Sequence, residues 1–139
     1  MNAASSSIGA ILVQPVGEGV ALELLDELAA SLARTFRVSC HVRTATLDVR
    51  FALDAIRGQY YSTAILEGHR LREEFYGPPP RPELLKARAI KEAVHELGHT
   101  LGLRHCPDWR CVMASAHAVE RLDLKEPEFC ASCARVIGR

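Results

Sequence analysis

Residues 8–16, "IGAILVQPV", form a short apolar run closed by Pro15 and Gly17, the pattern of a buried strand. Residues 19–35 then change period. Val20, Leu24, Leu25, Leu28 and Leu32 fall on one stripe while Glu23, Asp26 and Glu27 fall mostly off it, which predicts an amphipathic helix. "FRVSCHV", residues 36–42, alternates as a second strand. Residues 52–67 read two ways: the first part is compatible with a helix, whereas "YYSTAIL" has strand-forming residue types. "YGPPPRP" is a stiff linker, because each proline fixes its own φ and restricts the residue before it. Pro82 suits the first turn of a helix continuing through residues 83–101, with Leu85, Ile90, Val94, Leu97 and Leu101 as its apolar positions and Gly102 as its terminator. Beyond Gly102 the chain reads as loop up to the last cysteines.

Composition narrows the class. A chain of 139 residues fits one domain, 1–139, divided into a part with sheet and helices (8–102) and a C-terminal part (103–139). Hydrophobic residues make up 48% and charged residues 24%, as in ordinary soluble domains. Seventeen basic and seventeen acidic residues balance, which argues against a nucleic-acid partner held through phosphates. No apolar run reaches the length of a membrane span. The opening residues lack a basic segment before their apolar stretch and read as a polar tail rather than a signal peptide. The expectation is a cytoplasmic protein, monomeric, whose five cysteines are thiols or metal ligands.

Candidate chemistry concentrates in "HELGHTLGLRHCPDWRC", residues 95–111. His95 and His99 are four apart on the predicted helix, which stacks both imidazoles on one face. Two such nitrogens can reach one zinc ion at about 2.0–2.1 Å. Glu96, beside the first of them, suits a general base acting on metal-bound water, whose pKa the ion brings to about 7. With a chain reversal at Gly102, His105 returns as a third ligand. The whole fits H-E-x-x-H-x-x-G-x-x-H, the metzincin form of the zinc-protease motif, and three histidines leave a fourth position open. Met113 then reads as the methionine of the turn beneath the metal; taken alone it would read as core filler.

Cys106, Cys111, Cys130 and Cys133 form two closely spaced pairs, "CPDWRC" and "CASC", the pattern of a structural zinc site; disulfides are the alternative. The expected load is therefore two Zn²⁺ per chain, one catalytic and one structural. Cys40 reads as a small buried apolar residue, and His41, His69 and His117 as solvated or internally satisfied side chains. Of the three, His117, just past Met113, is the one expected to approach a cleft.

These residues resemble the archaemetzincins (archaelysins). The likeness is carried by His95, Glu96, His99, Gly102, His105, Cys106, Cys111, Met113, Cys130 and Cys133, and more weakly by "RGQYYSTAIL" and "HRLREEFYG". It implies a compact α+β, zincin-like domain with a mixed β-sheet, an N-terminal helix, an active-site helix and a small zinc-stapled C-terminal part. It also implies a zinc metallopeptidase acting on peptide or protein substrates, with Glu96 as base. Family members carry further strands, one beside the active site, where this chain has only Glu67, Gly68 and His69 between Leu66 and Arg70. Either a segment is absent there or the sheet is strongly abbreviated. Two other classes compete: a non-catalytic, zinc-stabilised protein- or peptide-binding module that kept the fold, and a nucleic-acid adaptor built on the cysteine knuckle. Glu96 argues against the first, since a structural site needs no base, and neutral charge against the second.

Overall fold

A computed structural model describes residues 8–46 and 68–139. The ambiguous stretch 52–67, the "RGQYYSTAIL" segment and the Leu66 side of the junction with Arg70 lie outside these residues. The described residues group into two compact units, 8–46 and 68–139.

In the first unit, β1 (Ala10–Val13) pairs in parallel with β2 (Ser39–Val42), with Ile11 opposite Cys40 and Val13 opposite Val42. Parallel neighbours need a crossover, and α1 (Leu22–Phe36) supplies it. The helix turns Leu25, Leu28, Ala29, Leu32 and Phe36 into the core, close to the predicted stripe; Val20 instead precedes the helix and is exposed. Both strands are shorter than their sequence patterns. Pro15 has no N–H for a ladder, and from Gln14 onward the side chain substitutes, its Nε2 donating to the Ala45 carbonyl at 2.7 Å. β1 is also not buried throughout: Ile11 is inside and Leu12 outside. Cys40 is half-buried rather than buried, with its thiol pKa raised by desolvation. The described sheet contains this parallel pair; an antiparallel partner, which a mixed sheet requires, is not among the described residues.

The second unit opens with two 3₁₀ turns, Gly68–Leu71 and Glu73–Tyr76, followed by the proline linker. Then comes α2 (Pro82–Thr100), with Pro82 in its first turn as expected. Its buried face differs from the expected apolar stripe. Val94 is fully buried, but Leu85, Ile90, Leu97 and Leu101 are only half-buried, and the core side consists of Arg88, Ala89, Ala93, Val94, His95 and Gly98. Small residues and a paired arginine allow the surrounding chain to approach closely. Arg88 is 2% exposed and satisfied on all sides: its Nε and Nη2 fork onto Asp123 at 2.7 and 2.6 Å, and its Nη1 reaches Glu73 at 2.7 Å and the Leu71 carbonyl at 3.0 Å. One side chain thus fastens α2 to a 3₁₀ turn and to α3 (Val119–Leu124).

The helix ends as Gly102 predicts. Gly102 has φ +87°, its N–H donates to the His99 carbonyl at 3.0 Å, and the Leu103 N–H donates back to the Gly98 carbonyl at 3.1 Å. This is a Schellman reversal, with buried Leu103 as its apolar contact. The region beyond is not all loop: α3 and α4 (Ala131–Val136) are six-residue helices, each with one buried side chain, Leu122 and Cys133 respectively. Helices this short are not stable alone. Their side chains are tied to Arg88 and to the cysteine group instead, which local pattern does not reveal. No described helix is long and apolar enough to cross a membrane.

Candidate metal centre

The Schellman reversal sends the chain back along α2, and His105 arrives beside His95 and His99. One nitrogen from each of the three imidazoles lies within 4.8 Å of the others, and ring centroids are 4.6–5.3 Å apart. His95 Nδ1–H donates to the Val112 carbonyl at 2.8 Å and His99 Nδ1–H to the Leu103 carbonyl at 2.8 Å. These bonds fix the tautomer: each Nε2 keeps a lone pair, and the two face each other at 3.0 Å. Two lone pairs so placed repel unless a cation or proton lies between them. A tetrahedral ion at about 2.0–2.1 Å from each nitrogen separates its ligands by about 3.3 Å, so the pair is close to coordination geometry. His95 is buried and its pKa is pushed down to about 4, by burial first and then by the neighbouring Lys125, His99 and His105, against the Val112 hydrogen bond. A neutral imidazole is the form a metal takes. His105 is exposed, which leaves that side of the triad open.

Glu96 follows His95 on α2 and is half-buried. Glu92, one turn earlier, has its carboxyl pKa raised, by burial first and by Glu96, with Lys125 opposing. Met113 is fully buried directly under the helix. A Cβ built on Gly98 would stand 2.5 Å from Met113 Sδ and 3.3 Å from Phe129 Cε1, so Gly98, an "x" of the HExxH motif, is the residue that lets the methionine approach.

The four downstream cysteines form a second group. Their sulfurs lie within 4.8 Å of one another, with Cys106 and Cys130 Sγ at 3.7 Å, and none forms a disulfide. A tetrahedral thiolate site with bonds of about 2.3 Å spaces its sulfurs about 3.8 Å apart. Burial raises the pKa of Cys133 and Cys106, whereas backbone N–H donation from Cys133 at the start of α4 draws Cys130 down to about 7. Four thiols packed this closely ionise together only around a cation. The donor set, sulfur alone in one group and imidazole in the other, is that of a closed and an open zinc site respectively.

Among the remaining histidines, His41 is exposed on β2, His69 lies in the first 3₁₀ turn, and His117 is exposed with its Nε2 3.4 Å from Ser115 Oγ. His117 does not join the triad. Sequence reasoning missed Lys125, which is 4% exposed: its Nζ donates to the Ala114 carbonyl at 2.8 Å and lies 3.5 Å from His95 Nδ1. Burial lowers its pKa, while Glu92 and Cys111 oppose that shift. No local pattern marks it. The Val112 and Leu103 carbonyls were invisible for a different reason: any residue carries one.

A helix bearing paired histidines, closed by a glycine reversal and followed by a four-cysteine cluster, places the chain among zincin-like α+β proteins. The family model of Peptidase family M54 matches residues 41–139, and the chain belongs to that family. It is 49% identical to the archaemetzincin of Thermococcus kodakarensis over 77 residues, 55% of this chain and 41% of that protein. It is 50% identical to that of Methanocaldococcus jannaschii over 70 residues, 50% of this chain and 39% of that one. The chain thus spans about two fifths of the length of the curated relatives it matches. Among solved structures, it resembles a zinc-dependent peptidase from Methanocorpusculum labreanum with a TM-score of 0.74 at 20% identity, covering 94% of this chain and 100% of that one. It also resembles an archaemetzincin from Archaeoglobus fulgidus, complexed with malonate, with a TM-score of 0.67 at 28% identity and coverage of 92% and 99%.

Proposed function

We propose that the protein is a zinc-dependent peptidase that hydrolyses peptide bonds at the His95–His99–His105 triad, with a second zinc ion held by Cys106, Cys111, Cys130 and Cys133. The observation that carries this reading is the pair of Nε2 lone pairs fixed 3.0 Å apart, with His105 beside them on an exposed side. A zinc ion there supplies a Lewis acid that polarises the scissile carbonyl and acidifies water. The protein's own residues do the rest. Val112 and Leu103 hold the imidazoles in the ligating tautomer. Glu96 accepts the proton of the attacking water on its carboxylate and passes it to the leaving amine. Met113, packed against Gly98, supports the floor. Family membership and the zinc-dependent peptidase among the structural neighbours support the same reading.

Glu96→Gln tests it. Cleavage of a peptide library should fall by about 10²- to 10⁴-fold, with zinc content and circular dichroism unchanged. Cleavage that persists in the variant removes Glu96 from the mechanism. If the wild type cleaves nothing while holding both ions, the chain is instead a non-catalytic zinc-stabilised binding module.

A further inference from the structure

The two groups are joined by more than the peptide bond between His105 and Cys106. Residues Cys111–Ala114 are all buried, and each one touches a different part of the centre. Cys111 Sγ belongs to the cysteine group and accepts the N–H of Met113 at 3.4 Å and of Cys130 at 3.3 Å. The Val112 carbonyl accepts His95 Nδ1–H. Met113 fills the space under Gly98, and its carbonyl accepts the Cys106 N–H at 2.9 Å. The Ala114 carbonyl holds Lys125 Nζ, which lies against the same edge of His95. No slack separates these contacts, since Val112 and Met113 have no exposed surface.

We propose that Cys111–Ala114 is a positioning strap that couples the two metal sites, so that an ion on the cysteines builds the histidine site and raises its affinity. The inference rests on the reading of both groups as metal sites. An ion held by the four sulfurs would fix the position of Cys111 Sγ. One residue later, the Val112 carbonyl sets the orientation of His95. Displacement of Cys111 in the empty cluster therefore releases the partner that holds the first imidazole. Loss of such a partner to a ligating histidine typically costs 10–100-fold in metal affinity. Coupling between binding sites is reciprocal, so a filled histidine site must hold the cysteine-bound ion more tightly by the same factor.

The test uses the full chain under reducing conditions, with Co²⁺ and Zn²⁺ as probes. In the first arm, Co²⁺ affinity at the histidines is measured by visible absorption, in wild type with the cysteines loaded with Zn²⁺ and in Cys130→Ser. The variant should bind Co²⁺ at least tenfold more weakly while retaining its helical circular dichroism. In the second arm, which survives if Cys130→Ser does not fold, a chelator competes for the cysteine-bound ion in wild type with the histidine site saturated and in His99→Ala. His99 is not part of the cysteine group, yet the variant should give up the ion about tenfold more readily. Equal retention in wild type and His99→Ala overturns the coupling and leaves the two-site reading intact. A wild-type chain that binds one ion, and none at the cysteines, overturns both.

Discussion

Gly98 and Arg88 are the residues whose replacement separates packing from chemistry. Gly98→Ala places a methyl group 2.5 Å from a sulfur that has no exposed side to retreat to, with Phe129 closing the other flank. The expected cost is about 1–3 kcal/mol, the range for overpacking a filled core, read as a lowered melting temperature. An unchanged melt would mean that Met113 has an alternative rotamer. Arg88→Met removes a cation that two carboxylates and a carbonyl surround. Breaking a buried pair costs about 3–5 kcal/mol; the low end, about 3, applies because Asp123 keeps 32% of its side chain in water. Denaturant unfolding checks it, and a loss under about 1 kcal/mol would reduce the arginine to a surface tie. At this scale the metal-binding candidates were legible because coordination chemistry restricts them to few residue types at helical spacing. Their orienting partners were not, since Val112 and Leu103 act through main-chain carbonyls and Lys125 lies thirty positions from the histidine it flanks.

Among the elements, α1 and α2 were readable and the C-terminal helices were not. α1 has a broad leucine face that burial reproduces. Pro82 and Gly102 mark the extent of α2, but hydrophobicity points to Leu85 and Ile90 as its inward face whereas burial falls on Arg88, Ala89 and Ala93. A buried arginine looks polar in any pattern until its partners, which lie on other elements, are known. α3 and α4 offer one buried residue each, too little for periodicity to register. Their dependence on the cysteines makes a prediction. Chelation under reducing conditions should raise amide hydrogen exchange first in residues 103–139, while α1 and its two strands keep their protection. Equal loss of protection in both units would contradict a local role for the cysteine-bound ion.

For the molecule as a whole, the family is legible in the stretch from His95 to Cys133, and the family model extends that assignment over residues 41–139. The α+β class is what the resemblance implies, while the alternation of periods along the chain marks only individual strands and helices. The extent of the sheet did not, because strand pairing depends on partners distant in sequence, and the segment on which that question turned lies outside the described residues. Because His105 and Cys106 are consecutive, and Cys111 precedes the carbonyl that orients His95, the centre has no internal seam at which it could be cut and transplanted. A protein engineer who grafts only the HExxH helix onto another scaffold takes the nitrogens without what aims them. Over the interval from α2 to Cys133 an insertion is tolerable only where no sulfur, imidazole or strap carbonyl depends on the register, as in the exposed turn around His117; the turn around Trp109 is excluded, because the Cys111 N–H donates across it to the Asp108 carbonyl at 3.1 Å.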